Sequence, residues 1–475
     1  MSAPARFALA AVAAGALAAM LLPGAPAGVG LVLVAVALAI AACAAVLPRG
    51  RAATTGQDSA REPDPLRSAL LGALALALAA SAALRDAGWV VGGELLCAVA
   101  LGSVAMSAPR TWRATALASI AAALRLPSGA RRVASDARLA LPSGSSRGAL
   151  AAGRGLVLAG LLVAIFGALF AAGDRAFAQV AGDLLPDALA LDDAPARLVV
   201  FGLVMALAGG FAQAARVVDR PAGKPLMRLG RSEWVLPLCA LNLLFALFVG
   251  VQVAVLFGGD AYVRDSAGLT YAQNARSGFA QLVVVAMLTL AVVAGALRWA
   301  RTGDARGGRI LRALLAALCL LTLVVLASAL HRLGLYEAAF GFTRTRLVVH
   351  AFLLLNGALF ALVLVALARD RREWLPRATV ALCALAALAF WVSDPDGRIA
   401  THNVERYEAT GRIDVDYLAG LSADAVPALV RLPLRLREDA LRPQRARLAR
   451  RDGFAGANLA RSRARDALAA LAPSP

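Results

Sequence analysis

The chain has 475 residues, 60% hydrophobic, 17% charged and only 6% aromatic, with a formal net charge of +19. Apolar runs of 17 to 24 residues recur along it with almost no charge inside them, which excludes a soluble helical core, where charges interrupt an amphipathic stripe every turn or so. Of its 49 Lys and Arg residues all but Lys224 are arginine, an excess that reads as GC-rich coding bias and gives no support to a nucleic-acid partner.

A helix rising 1.5 Å per residue needs about 20 apolar residues to cross roughly 30 Å of hydrocarbon. Eleven stretches qualify: 7–22, 27–47, 68–84, 88–107, 155–172, 197–215, 234–257, 277–297, 309–330, 347–368 and 377–393. The fold class is therefore an all-α integral membrane protein of about eleven transmembrane helices, followed by a small helical tail. The first stretch, with Arg6 before it and Ala25-Pro26-Ala27 after it, also has the form of a signal peptide. Because the next apolar run begins at once, an uncleaved first span is the expectation.

Taken in chain order, residues 1–107 form a four-span block rich in alanine and glycine, small residues that let helices approach closely. Residues 108–154 are a basic linker in which Trp112, Ile120 and Leu124 share one face of a short helix, placed to lie on the membrane surface. It serves as a topology anchor or is drawn to anionic lipids. Residues 155–393 form a seven-span block. Its first outer loop carries Asp174, Asp183, Asp187, Asp192 and Asp193 without the spacing of a calcium loop, so a solvated acidic loop is expected.

In the tail, 394–475, Asp414 is placed to cap one helix and Ser422 the next, while Pro427 and Pro443 interrupt the helical segments after them. The stretch from Arg431 to Arg451 mixes arginines with Leu436, Leu441 and Leu448, which suits an amphipathic helix against a membrane or a partner. The cysteines, Cys43, Cys97, Cys239, Cys319 and Cys383, all fall inside spans with no CxxC pair, as buried apolar residues do. No metal site and no cofactor motif is present in the sequence.

Charge placement orients the chain. With the N-terminus in the cytoplasm, the inner segments hold 27 Lys and Arg residues and the outer loops eight, the asymmetry that insertion imposes. An odd number of spans then puts the basic tail outside the membrane.

Three segments carry a family resemblance: LTYAQNARSGFAQL at 269–282, RLGLYEAAFGFTRTRL at 332–347 and DPDGRIATHNVERYEATGRIDVDYLAGLSADAVPAL at 394–429. Over residues 155–430 the chain resembles a bacterial multi-pass membrane family known as domain of unknown function 4173, with a sister group numbered 4153. The resemblance implies an integral protein of the bacterial inner membrane with no established activity. Gln273 and Gln281 stand where the family pattern has glutamates. The positions that match it include Tyr271, Arg276, Arg332, Tyr336, Arg346, Asp396, Asn403, Arg406, Asp416, Tyr417, Ser422 and Asp424.

Tyr271, Arg276, Arg332, Tyr336, Glu337, Arg344 and Arg346 should all lie near one depth, the outer interface. Glu337 is expected to pair with Arg276, Arg332 or Arg344, in an environment where such a pair is worth more than an exposed one. Inside the spans the polar residues are Glu94, Gln213, Asn242, Gln252, His350 and Asn356.

Three readings are open. The first is a structural or signalling membrane component whose outer tail packs on the loops or docks a protein partner at the extracytoplasmic face. The second is a transporter or channel for a small neutral or anionic solute, with an outer vestibule and a path along Asn242, Gln252, His350 and Asn356. The third is a membrane-embedded hydrolase using Asp396, His402 and Asp424. The lack of a midplane carboxylate in the recognised block counts against ion coupling.

Overall fold

The computed structural model describes residues 2–46, 65–140, 193–215, 228–267, 279–369 and 372–471, and every regular element among them is helical. Ten of these helices are long and apolar enough to cross a membrane. They correspond to ten of the eleven expected spans, and the other, 155–172, lies outside the described residues. The protein is an all-α, multi-pass membrane protein.

The chain divides into two compact units, one of Met1–Asp219 with Ala446–Asp466, the other of Arg220–Arg445 with Ala467–Pro475. In the first unit α1 (Ala3–Leu21) and α2 (Val29–Val46) form a hairpin. The next span is α3 (Pro65–Ala79) and α4 (Ser81–Leu84), broken at Ala80, and it packs on α5 (Gly88–Ser107). Two shorter helices come next, α6 (Trp112–Leu124) and α7 (Leu126–Ala140), and then α8 (Ala194–Ala214).

Helix α8 touches α1, α2, α5, α6 and α7. It can do so because it buries small residues, Ala206, Ala208, Gly209, Gly210, Ala212 and Ala214. A Cβ added to Gly129 of α7 would come within 2.5 Å of the Gly210 amide nitrogen and 2.8 Å of the Gly209 carbonyl carbon. The two backbones are therefore in direct contact. Lipid is as apolar as leucine and gives helices no hydrophobic reason to associate, so this close van der Waals fit is what holds them.

Thr111 caps α6 by accepting from the Ala114 amide, and the helix leaves Trp112, Ile120 and Leu124 exposed on one face. At 13 residues it is too short to span. In α7, Arg132 lies 5.5 Å from the Phe7 ring centroid and 3.5 Å from Asp136.

The second unit is built on α9 (Arg231–Ala267), α10 (Phe279–Trp299), α11 (Ala305–Phe340), α12 (Arg344–Ala368) and α13 (Leu375–Val392). Trp234, Phe245, Leu282, Leu315, Leu318, Leu353 and Phe360 fill one core between them. Helix α11 has 36 residues, which makes it about 54 Å long. It exceeds the apolar layer, so its polar end, from Arg332 onward, belongs to an edge of the membrane.

The tail continues from α13 through Asp394, which caps α14 (Pro395–Thr410) by accepting from the Gly397 amide. Asp414 caps α15 (Val415–Ala419) as expected. A short 3-10 turn over Ala423–Ala425 leads to α16 (Val426–Leu429), then α17 (Leu434–Leu448) and α18 (Leu459–Ala469).

Two local expectations are corrected. Ser422 gives no side-chain cap to the turn after it, because its hydroxyl donates to Asp424. Pro443 does not interrupt α17, whose buried Ala440, Leu441, Gln444 and Leu448 hold the helix through it. None of the five cysteines forms a disulfide; Cys319 is buried as expected, whereas Cys43, Cys97, Cys239 and Cys383 are exposed, which corrects the expectation for those four and suits a thiol on a helix face turned to lipid.

Gly209→Ala places a methyl group into the backbone of α7. We expect a loss of about 1–3 kcal/mol, the usual range for overpacking, read as a lower melting temperature in detergent. Gly202→Ala, where nothing lies within 4 Å of the new Cβ, is expected to raise the melting temperature slightly, because alanine favours the helix by about 0.5–1 kcal/mol over glycine.

Candidate functional site

Where α11 ends and α12 begins, backbone groups lose their helical partners. The tail supplies replacements. Gly341, with φ +80°, turns the chain, and its amide donates to the Glu337 carbonyl. Asn403 of α14 then takes Phe342 by both ends of its peptide group. Its Oδ1 accepts from the Phe342 amide at 3.2 Å and its Nδ2 donates to the Phe342 carbonyl at 2.9 Å. A Cβ at Gly341 would run into Asn403, so glycine is required there by space as well as by φ.

Arg406 reaches the last carbonyls of α11, donating to Ala338 at 3.1 Å and Ala339 at 2.6 Å. On the other side of the turn, the Arg344 amide donates to the Tyr417 hydroxyl oxygen at 2.7 Å.

The centre of this clasp is an ion pair. The Arg344 guanidinium donates through Nε to Asp396 Oδ1 at 2.9 Å and through a terminal nitrogen to Oδ2 at 2.6 Å, the bidentate fork that arginine makes with carboxylates. Asp396 has no exposed surface, and its Oδ2 also accepts from the Ser422 amide at 2.9 Å. The Ser422 hydroxyl donates to Asp424, itself buried, at 2.9 Å. Burial pushes the Asp396 carboxyl upward, but the Arg344 and Ser422 hydrogen bonds outweigh it and hold the pKa below its ordinary value. Burial raises the Tyr417 phenol.

One turn back along α11 lies a second group. Glu337, buried, faces His350 of α12 at 3.7 Å. Arg346 sits 4.2 Å from the Tyr336 ring centroid and donates to the Gly341 carbonyl. The expected pairing of Glu337 with Arg332 or Arg344 is thus replaced by a histidine. Arg344 is turned toward Asp396 on the tail, and a terminal nitrogen of Arg332 donates to Gln252 of α9 at 2.5 Å.

Three of the residues placed within the spans of the second unit, Asn242, Gln252 and Asn356, make hydrogen bonds within it. Asn242 donates to the Leu238 carbonyl of its own helix at 2.7 Å and to Leu314 of α11 at 3.2 Å. Asn356 donates to Phe352, one turn back, at 2.8 Å. Gln252 accepts from Ser328 as well as from Arg332. The Asn242–Leu314, Gln252–Ser328 and Gln252–Arg332 contacts join α9 to α11, the Asn356 bond stays within α12, and Asn242 Oδ1 is buried without a partner among the described residues.

Of the tail positions singled out in the sequence, Asp396, Asn403, Arg406, Tyr417, Ser422 and Asp424 all enter the clasp, whereas Asp416 is exposed on α15. Tyr271 and Arg276 lie outside the described residues, as do Asp174, Asp183, Asp187 and Asp192. His402 stacks on Phe342 with ring centroids 4.6 Å apart and faces Glu405 at 3.4 Å, while Asp396 is engaged by Arg344. Among the described residues no three His, Cys, Asp or Glu side chains gather into a metal site.

Sequence reading missed a second clasp, in the first unit. Amides at the start of α2 donate to the tail, Val29 to the Ala457 carbonyl at 3.0 Å and Gly30 to Ala455 at 2.8 Å. Asn458 donates to the carbonyls of Ala82 and Arg85 at 2.9 and 2.8 Å. The buried Arg461 pairs with Asp86 at 2.5 Å and Asp452 at 3.0 Å, and donates to the Ala27 carbonyl at 2.8 Å. Asn458 also caps α18 locally, accepting from the Arg461 amide at 3.2 Å, but nothing local marks the partners Ala82, Arg85 and Asp86, which lie more than 370 positions away in sequence.

A family model described as a domain of unknown function (DUF4153) matches residues 71–432. The chain belongs to this family. The expectation of group 4173 is thereby corrected to its sister, and the match begins in α3 rather than at residue 155, so that α5 and its Glu94 are included. No curated protein and no solved structure matches the chain.

Breaking a buried pair by removing one partner typically costs about 3–5 kcal/mol. Asp396→Asn is expected to cost about 3 kcal/mol in thermal unfolding, since Arg344 is partly exposed, and Arg344→Lys, which loses the fork, about 1–2 kcal/mol. Because the folded-state pKa of Asp396 lies below the unfolded one, its stabilisation is complete above about pH 4 and disappears as the pH falls through the lowered value. The acid limb of the stability profile should flatten in Asp396→Asn.

Proposed function

We propose that the protein is a structural or signalling component of the bacterial cell membrane, with its N-terminus in the cytoplasm and its tail folded on the extracytoplasmic ends of its helices. The observation that carries this reading is the bidentate Arg344–Asp396 pair, buried on the aspartate side and continued by Ser422. Arg344, Asp396, Asn403, Arg406 and Tyr417 at this mouth are committed to backbone groups and to one another, as in a fastening, whereas Glu337 keeps one buried oxygen without a partner among the described residues. The hydrogen bonds of Asn242, Gln252 and Asn356 within the second unit support the same reading, since a solute path needs polar groups that are open to it.

The orientation rests on the 27 to eight division of basic residues. That topology puts the turns at 22–28, 85–87 and 341–343 on the outer side, and these are the turns that tail segments meet in their respective units. The exposed face of α6, with Trp112, Ile120 and Leu124, suits the inner membrane surface. Exposed Arg435, Arg442 and Arg445 on α17 are the surface that a protein partner at the outer face would meet.

Two experiments test this reading. In a cysteine-free background, a membrane-impermeant maleimide added to intact spheroplasts should label Ala409→Cys on the tail and not Ala305→Cys at the start of α11; the reverse pattern would invert the orientation. Vesicles containing the full chain should pass small neutral solutes and anions no faster than empty vesicles. Saturable flux abolished by Arg332→Gln would replace the proposal with a carrier.

A further inference from the structure

Glu94 is the seventh residue of α5, in a span of 20 apolar or small residues otherwise free of charge. At 1.5 Å per residue it sits about 9 Å inward from Gly88. The residue is 4% exposed, and its Oε2 has no hydrogen-bond partner among the described residues.

The opposite strand of the hairpin repeats the anomaly. Its helix is interrupted at Ala80, and Ser81, 0% exposed, also has a buried hydroxyl without a partner among the described residues. Ser81 lies four residues before Arg85, about 6 Å from the turn. Two unpartnered polar groups thus occupy similar depths in one hairpin. Beside them Gly92 and Gly93 are bare, with nothing within 4 Å of where a Cβ would stand.

The elements packed on α5 are α3, α4, α6 and α8, and their charged groups cluster near helix ends. Arg67 of α3 donates to the Pro109 carbonyl beyond the far end of α5. Arg113 and Arg197 lie in the first turns of α6 and α8, α4 has none, and Cys97 is the other titratable group of α5. In the turn, Arg85 and Asp86 come after α4, and Asp86 is held by Arg461. An ionised carboxylate with no partner in an apolar span is costly, and the neutral acid removes that cost.

We propose that Glu94 is a membrane-embedded proton-binding site, carried as the neutral acid and exchanging its proton toward the 85–87 turn. Ser81 provides a hydroxyl at the depth where the proton would be passed on, and Asn458 and Arg461 cover the exit by bonding to Ala82, Arg85 and Asp86. The site is independent of the clasp at Arg344. It gives α5 of this chain a chemistry that a purely structural protein does not need.

The test uses the full chain in lipid nanodiscs and dicyclohexylcarbodiimide, an apolar reagent that adds to protonated carboxyl groups. Peptide mass mapping should find the adduct on Glu94 at about pH 6, diminished at least about tenfold at about pH 10, and absent with a water-soluble carbodiimide. Glu94→Gln, which replaces a neutral acid with a neutral amide, should lose the adduct and melt at the wild-type temperature. Absence of an adduct on Glu94 at every pH would overturn the proposal, as would labelling indifferent to pH. So would Arg197→Gln raising the reactivity of Glu94, since that would reveal an ionised carboxylate paired with Arg197.

Discussion

A helix that ends at the rim of a bilayer leaves up to four amides or four carbonyls without partners, and the cost of leaving them so rises as water becomes scarce. Much of what is distinctive in this protein answers that constraint. Arg406 takes the last carbonyls of α11, Asn403 takes the peptide after them, and Tyr417 receives the first amide of α12. In the other unit the carbonyls of Ala455 and Ala457 receive the first amides of α2, and Asn458 meets the carbonyls at the end of α4. The tail is thus an assembly of caps supplied from a distance. Its ion pairs, Arg344 with Asp396 and Arg461 with Asp86 and Asp452, hold the caps in place.

The spans were legible because each is a local property: about 20 apolar residues in a row can do little else. Capping by Asp414 was legible for the same reason, since an N-cap and its target amide are three residues apart. The membership of Asp396, Asn403, Arg406, Tyr417, Ser422 and Asp424 in one site could be suspected from the family pattern, but their partners could not. An arginine at a membrane edge has many possible acceptors, and only the fold brings Asp396 to Arg344 across 52 positions. That Glu337 meets neither Arg332 nor Arg344 has the same origin. With Arg344 taken by the tail, the carboxylate meets His350, which α12 presents one turn after Arg346.

The division into compact units illustrates the same limit. Contacts group Ala446–Asp466 with the first half of the chain and the preceding part of the tail with the second, whereas a reading along the sequence can only cut a chain into consecutive pieces. Ser422 shows it at the scale of a single residue. A serine before a short helix is a good cap by local rules, yet its amide serves Asp396 and its hydroxyl serves Asp424. A tertiary demand from a buried carboxylate outranks a local cap at a short helical turn.

Two of the buried acids among the described residues, Asp396 and Glu94, separate fastening from the chemistry proposed above. Asp396 receives a bidentate arginine and a backbone amide, so its charge is compensated and its position fixed. Glu94 is 4% exposed, and one of its oxygens is buried without a partner among the described residues, in the same hairpin as a serine in that condition. Packing alone does not explain such an arrangement, because a leucine at position 94 would satisfy an apolar helix at lower cost. A carboxyl in that setting offers what leucine does not, a proton that can leave. On the proposal made above, that difference makes α5 the place where an activity of this chain is to be sought.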